Sequence, residues 1–173
     1  MNKLAAALLA GALAVGILYW RSSRWSWLTT DDGGFQVLMK GTLAGPEGDH
    51  QATQFGRVDS KQWHSEPFFG GETFMAMYLD LVGVPPSYDN DAGLKSIAAG
   101  IAQRSNGSLQ GETAIEVAGM PGKQFDVEII PNGRILLRGF SHDRRIYLLA
   151  FKWNDKGAPP PDAAKFFDSF ALR

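Results

Sequence analysis

Residues 124–130 alternate apolar and polar side chains with a period of two, and that pattern demands a strand. Phe125, Val127 and Ile129 fall on one side, and Gln124, Asp126 and Glu128 on the other. A helix would scatter both sets around its axis. Asn132-Gly133 then gives a strong signal for a hairpin turn. Arg134 to Phe140 returns, Ser141-His142-Asp143 turns again, and Arg145 to Trp153 follows with Tyr147, Leu149, Phe151 and Trp153 on one face. Thr113 to Ala118 precedes this run, so the spacing predicts a four-stranded antiparallel meander.

Upstream, Phe35 to Leu43 reads as a first strand with Phe35, Val37 and Met39 on one face, and Gln51 to Val58 as a weaker one. Thr73 to Leu81 is apolar on both faces, with Phe74, Ala76 and Tyr78 against Met75, Met77 and Leu79. That pattern marks a central strand covered on both sides. Leu94, Ile97, Ala98, Ile101 and Ala102 follow helical spacing. Asp89 or Asp91 is placed to cap that helix and Asn106-Gly107 to end it. Pro159-Pro160-Pro161 leads to a last helix, capped by Asp162, with Phe166, Phe167 and Phe170 on one side. The expected fold class is α/β in the broad sense (α+β), an antiparallel sheet sandwiched by helices. A chain of 173 residues suits one such domain.

The chain opens on an unbroken run of apolar and small residues from Leu4 to Trp20, with Lys3 before it and Arg21 and Arg24 after it. A cleaved signal peptide and a retained anchor compete. Ala12-x-Ala14 has the form of a cleavage site but lies inside the run. The run ends in Tyr19-Trp20, with Trp25 and Trp27 close behind, as in an interfacial aromatic belt. At about 1.5 Å per residue it covers roughly 25 Å, enough to span once flanking arginines snorkel. The reading carried forward is a transmembrane helix over residues 1–21, a juxtamembrane linker over 22–34 and a soluble domain over 35–173. Ala6, Ala10 and Ala14, Ala7 and Gly11, and Ala12 and Gly16 repeat at four-residue spacing, which lets a second helix approach closely. An alanine-rich leader gives the same pattern.

Charge and composition remove several classes of function. The net charge is −1, so no basic excess exists to neutralise nucleic-acid phosphates. The absence of cysteine rules out disulfides, thiolate metal sites and a cysteine nucleophile. His50, His64 and His142 lack metal-ligand spacing. Ser141-His142-Asp143 holds triad residue types, but neighbours in a tight turn cannot adopt triad geometry. Phosphate-binding glycine loops are absent from the sequence, and Phe69-Gly70-Gly71-Glu72 precedes a strand instead of a helix. Asp89, Asn90 and Asp91 lack a full calcium loop and read as a cap. The sequence therefore predicts a protein that is not an enzyme and carries no cofactor.

Candidate partner-binding residues are the exposed-looking aromatics. Trp63, Phe68 and Phe69 fall in a segment, Lys61 to Gly71, that reads as a polar loop; such side chains either fold back on the core or anchor a partner. Trp25 and Trp27 face the same choice between bilayer and protein. Arg134 and Arg138 share one sheet face. They are placed to pair with Asp126 and Glu128 across the strands, and an acidic partner surface is the functional alternative.

Several segments together resemble a known family. They are the Phe35-x-Val37 strand followed by Gly41-Thr42, the stretch Ala118-Gly119-Met120-Pro121-Gly122-Lys123-Gln124-Phe125-Asp126-Val127, then Arg138-Gly139-Phe140, Arg145-Ile146-Tyr147-Leu148-Leu149 and Phe166-Phe167-Asp168-Ser169-Phe170. The order of elements and the Gly-x-Pro-Gly-x-x-Phe signature resemble the PsbP-like α-β-α sandwich family over Phe35 to Leu172. Its best-known members are extrinsic subunits on the lumenal side of photosystem II, and its bacterial relatives are secreted or membrane-tethered. The resemblance implies a non-catalytic accessory domain on the outer face of an energy-converting or bacterial membrane. The chain departs from plant members in its expected transmembrane helix. The resulting expectation is a single-pass inner-membrane protein with its domain in the periplasm. It would bind an integral membrane protein complex, such as a photosynthetic reaction-centre assembly, and the bilayer through its first helix. The alternative expectation is a tethered domain that binds a lipid or small ligand between sheet and helix.

Overall fold

Alternating burial along the strands generates two antiparallel sheets that share one core. The chain is represented by a computed structural model that describes residues 20, 23–53, 56–67, 71–85, 87–117 and 119–173. The smaller sheet contains β1 (Trp25–Thr30), β2 (Phe35–Lys40) and β10 (Ala171–Leu172), in the order β1-β2-β10. The larger contains β3 (Thr42–Thr53), β4 (Gly56–Glu66), β5 (Thr73–Val82), β6 (Gly107–Val117), β7 (Met120–Ile129), β8 (Arg134–His142) and β9 (Arg145–Trp153). Its order is β3-β4-β5-β9-β8-β7-β6, so β5, β9 and β8 lie at the centre and β3 and β6 at the edges. Among the described residues two helices accompany the sheets, α1 (Asn90–Arg104) and α2 (Pro161–Asp168).

The two faces of the large sheet bury separate sets of side chains. On one face Leu94, Ala98 and Ala102 of α1 pack on Phe125, Val127, Leu137 and Ile146. Gly139 makes this approach fit, because a Cβ there would run into the Leu94 side chain. On the other face Phe35, Val37 and Met39 of β2 join Phe166 and Phe167 of α2 over Phe74, Tyr147, Leu149 and Phe151. The sandwich is therefore more sheet-rich than expected. Only α1 covers one side, and the other is shared by a three-stranded sheet and a two-turn helix.

The expected boundaries shift: the strand expected over Phe35 to Leu43 divides between β2 and β3, and the one expected from Thr113 begins at Gly107. The expected linker over 22–34 contains β1, which pairs with β2 from Trp25↔Lys40 to Thr30↔Phe35. Leu28 and Thr30 point into the core, so burial, not tethering, sets that segment's conformation. The weak strand expected over Gln51 to Val58 is instead the tip of the long β3–β4 hairpin, paired from Thr42↔Glu66 to Thr53↔Gly56. The loop expected from Lys61 to Gly71 is strand as far as Glu66. Asp162 does not cap α2. Pro160 occupies that position without a side-chain hydrogen bond, and Asp162 accepts a 2.5 Å hydrogen bond from Lys40 Nζ that ties α2 to β2. The expected anchor over residues 1–21, with its small-residue faces at Ala6, Ala7, Ala10, Gly11, Ala12, Ala14 and Gly16, lies outside the described residues apart from Trp20. Among the described residues no helix is long and apolar enough to cross a membrane.

Of the two caps the sequence offers for α1, Asp89 and Asp91, the first is used. The Asp89 carboxylate accepts hydrogen bonds from the backbone N–H groups of Asp91 at 2.9 Å and Ala92 at 3.1 Å. Asp89→Ala is expected to cost about 1 kcal/mol of unfolding free energy in urea denaturation. An unchanged midpoint would show that the cap contributes nothing.

Candidate docking surface

The tryptophans near the start of the chain divide between core and surface. Trp25 is half-buried, edge-on to Phe74 with ring centroids 5.5 Å apart, and Lys165 Nζ lies 4.4 Å from its ring centroid. Trp27, across from Leu38 on β2, is 53% exposed. Trp20 is 59% exposed, and the Arg24 guanidinium stacks over its ring at 4.6 Å. Two exposed tryptophans, one of them under a cation, therefore lie at or beside the first strand.

The other candidates separate further. Trp63 is buried and leaves the list of docking residues. It faces inward from β4 against Phe35 at 5.9 Å and Tyr78 at 6.1 Å between centroids. Continuing β4 through residue 66 gives Trp63 and Ser65 the inward phase of the strand, and both are buried. Phe68 and Phe69 lie outside the described residues. Arg134 lies opposite Glu128 in the register and pairs diagonally with Asp126 at 3.1 Å. Arg138 does not reach Glu128. It donates to Gln124 at 3.0 Å, lies 4.6 Å from the centroid of the Phe167 ring and stands 3.6 Å from Asp168. Its first contacts are thus with the end of α2.

A polar clamp joins the two sheets and was invisible in the sequence. Arg145 on β9 holds Asp80 with two hydrogen bonds of 2.6 and 2.9 Å and donates to the backbone oxygens of Asp32 at 2.7 Å and Gly33 at 2.9 Å. Its guanidinium also lies 4.3 Å from the centroid of the Tyr78 ring. Tyr147 donates to Gly33 O at 3.1 Å, and the Asp32 carboxylate accepts from Tyr78 at 3.1 Å and from Lys61. The turn between β1 and β2 is thereby fixed to β4, β5 and β9. These three strands lie far from the turn in sequence, so no local motif announces them. The hydrogen bond from Lys61 holds the Asp32 carboxyl below the ordinary range, while burial and Asp32 push the Tyr78 hydroxyl up.

Two other carboxylates are depressed in the same sense, Asp59 by His50 and Arg57, and Glu112 by Lys123 and Lys95. A carboxyl whose folded pKa lies below its unfolded value gives stability that is present above the unfolded value and lost as pH falls through the folded one. The thermal midpoint is therefore expected to hold steady above about pH 5 and to drop below about pH 4. Asp32→Asn should flatten part of that acid limb. An identical acid limb in wild type and variant would remove Asp32 from the account.

A concavity lies on the α1 face, beside the helix. It is a trough of about 700 Å³. Met75, Met77 and Leu79 of β5 and Val58, Ser60 and Gln62 of β4 make its floor. Ile97, Ile101 and Arg104 of α1 form one bank, and Glu47 and Asp49 of β3 the other. The trough exists because α1 covers the β6–β9 half of the sheet and leaves the β3–β5 half open. Nearest the helix the floor is apolar, and toward β3 it becomes polar. Among the described residues, no three His, Cys, Asp or Glu side chains converge as they would around a metal ion.

Comparison with known proteins finds no matching family and no matching curated protein. Among solved structures, the solution structure of cyanobacterial PsbP (CyanoP) from Synechocystis sp. PCC 6803 is similar, with a TM-score of 0.55 at 10% sequence identity. The similarity covers 87% of this chain and 94% of that one. At that identity it shows a shared fold, a PsbP-like sheet-rich architecture with two helices.

Proposed function

We propose that this chain is a non-catalytic accessory subunit of a membrane protein complex, with a photosynthetic reaction-centre assembly as the most specific candidate. The fold shared with cyanobacterial PsbP over nearly the whole of both chains carries this reading. In it, the apolar run over residues 4–20 is a single-pass anchor in the inner membrane and the domain lies on the periplasmic face. The exposed Trp20 and Trp27, with the Arg24 guanidinium over the Trp20 ring, have the amphipathic chemistry that the membrane interface favours.

The test is affinity purification of the full chain in a mild detergent, with mass spectrometry of what accompanies it. The expected result is stoichiometric recovery of a membrane complex, lost when residues 4–20 are deleted. A lone monomer under the mildest extraction would sink the reading. The trough between α1 and the sheet favours a second reading, a tethered domain binding a lipid or small ligand. That reading predicts a small molecule in the organic extract of the purified chain.

A further inference from the structure

We propose that the trough beside α1 receives an amphipathic helix of the partner complex, one with lysine or arginine along the flank facing β3 and an acidic residue within reach of Arg104. The inference rests on the accessory-subunit reading and adds to it the face that docks and the chemistry that fits it.

Shape selects a helix. The α1 bank from Ser96 to Ser105 is about 15 Å long, two to three helical turns. Counted out to the β3 bank, the trough is three strands or about 14 Å across, room for one helix lying beside α1 at the usual spacing of about 8–10 Å. An extended segment lying on a sheet face has no ladder to join and leaves its backbone groups unpaired, whereas a helix satisfies its own. An acyl chain would have to strip water from the Glu47 and Asp49 carboxylates without pairing them, which is unfavourable.

The lining adds chemical detail. Met75 and Met77 are half-buried, unbranched and polarizable, so they can shape themselves to an incoming aliphatic face. Gly100 sits in the middle of α1, where glycine weakens a helix. A Cβ there would meet only the Arg104 guanidinium, at 3.8 Å, so the packing of this chain does not require a glycine. A partner backbone approaching α1 at Ser96 and Gly100 does. The banks carry opposite charge, with Glu47 and Asp49 on β3 and the exposed Arg104 on α1. That arrangement fixes the orientation of the occupant and the signs of its two flanks.

The experiment uses the full chain in the membranes that yield the complex. Gly100→Leu fills the bank with a better helix former, so the variant folds. The pair Glu47→Lys and Asp49→Lys reverses the opposite bank at exposed positions. Both are expected to lower recovery of the complex at least ten-fold, while Gln110→Lys on the far edge strand leaves it unchanged. A photo-crosslinking phenylalanine analogue placed at Ser96 should attach to a helical segment with the stated charge pattern. Wild-type recovery by both variants overturns the proposal and leaves the accessory-subunit reading standing. A crosslink to lipid, to a small molecule or to a second copy of this chain also overturns it. Failure of the wild-type chain to recover any complex overturns both.

Discussion

Trp63→Ala is expected to lower the unfolding free energy by about 3–5 kcal/mol, and Trp27→Ala by less than about 0.5 kcal/mol. The two residues look alike in sequence, each a tryptophan in a polar stretch. Trp63 packs its ring edge-to-face against Phe35, whose opposite contacts are Tyr147 at 5.9 Å and Phe170 at 5.7 Å. Removing it opens a cavity where the small sheet meets the large one, and the surrounding rings belong to three other strands and the end of α2. Trp27 leaves no cavity because half of its surface is already solvated. Urea denaturation of both variants checks the pair. A loss below about 1 kcal/mol for Trp63→Ala would mean that the small sheet does not pack on β4 as described.

Arg145→Ala is expected to cost about 2–3 kcal/mol. Breaking a buried ion pair costs about 3–5 kcal/mol, and partial solvation of this one lowers the figure. Its side chain is 24% exposed and that of Asp80 36%. The alanine variant strands the Asp80 carboxylate, removes the donor to Asp32 O and leaves Gly33 O with Tyr147 alone. Arg145→Lys should recover less than half of the loss, because an ammonium cannot reproduce the planar fork. Hydrogen exchange gives an independent readout. The Gly34 amide, bonded to Thr30 O at 3.1 Å, should lose protection more than amides in β8 do. Uniform loss across both would show that Arg145 contributes to global stability only.

Where one strand carried its own signal, the sequence was enough. Arg145–Trp153 has the expected limits, the Asn132-Gly133 turn lies between β7 and β8, and Asp89 caps α1. The small sheet was illegible for a physical reason. In β1 only Leu28 and Thr30 are fully buried, one of them polar, while two tryptophans occupy the alternate phase. β10 is two residues long and has no periodicity to read. β4 was obscured in the same way, since Asp59 and Lys61 share the phase of Trp63 but lie beyond the cover of the small sheet. The Arg145 clamp and the trough are tertiary in origin, the first from side chains on separate strands and the second from the half of a sheet that one helix leaves open.

The short strand β10 also sets an order of events. Leu38 N donates to Ser169 Oγ across 131 positions of sequence, and Arg173 N donates to Gly34 O at 2.8 Å. β2 therefore keeps an open edge until residues 169–173 have been made and delivered. Long-range closure of this kind is paid for in loop entropy before any contact rewards it, so it slows folding. Until then Phe35, Val37 and Met39 belong to an incomplete sheet, and the domain is most exposed to wrong pairing in the interval before its last strand arrives.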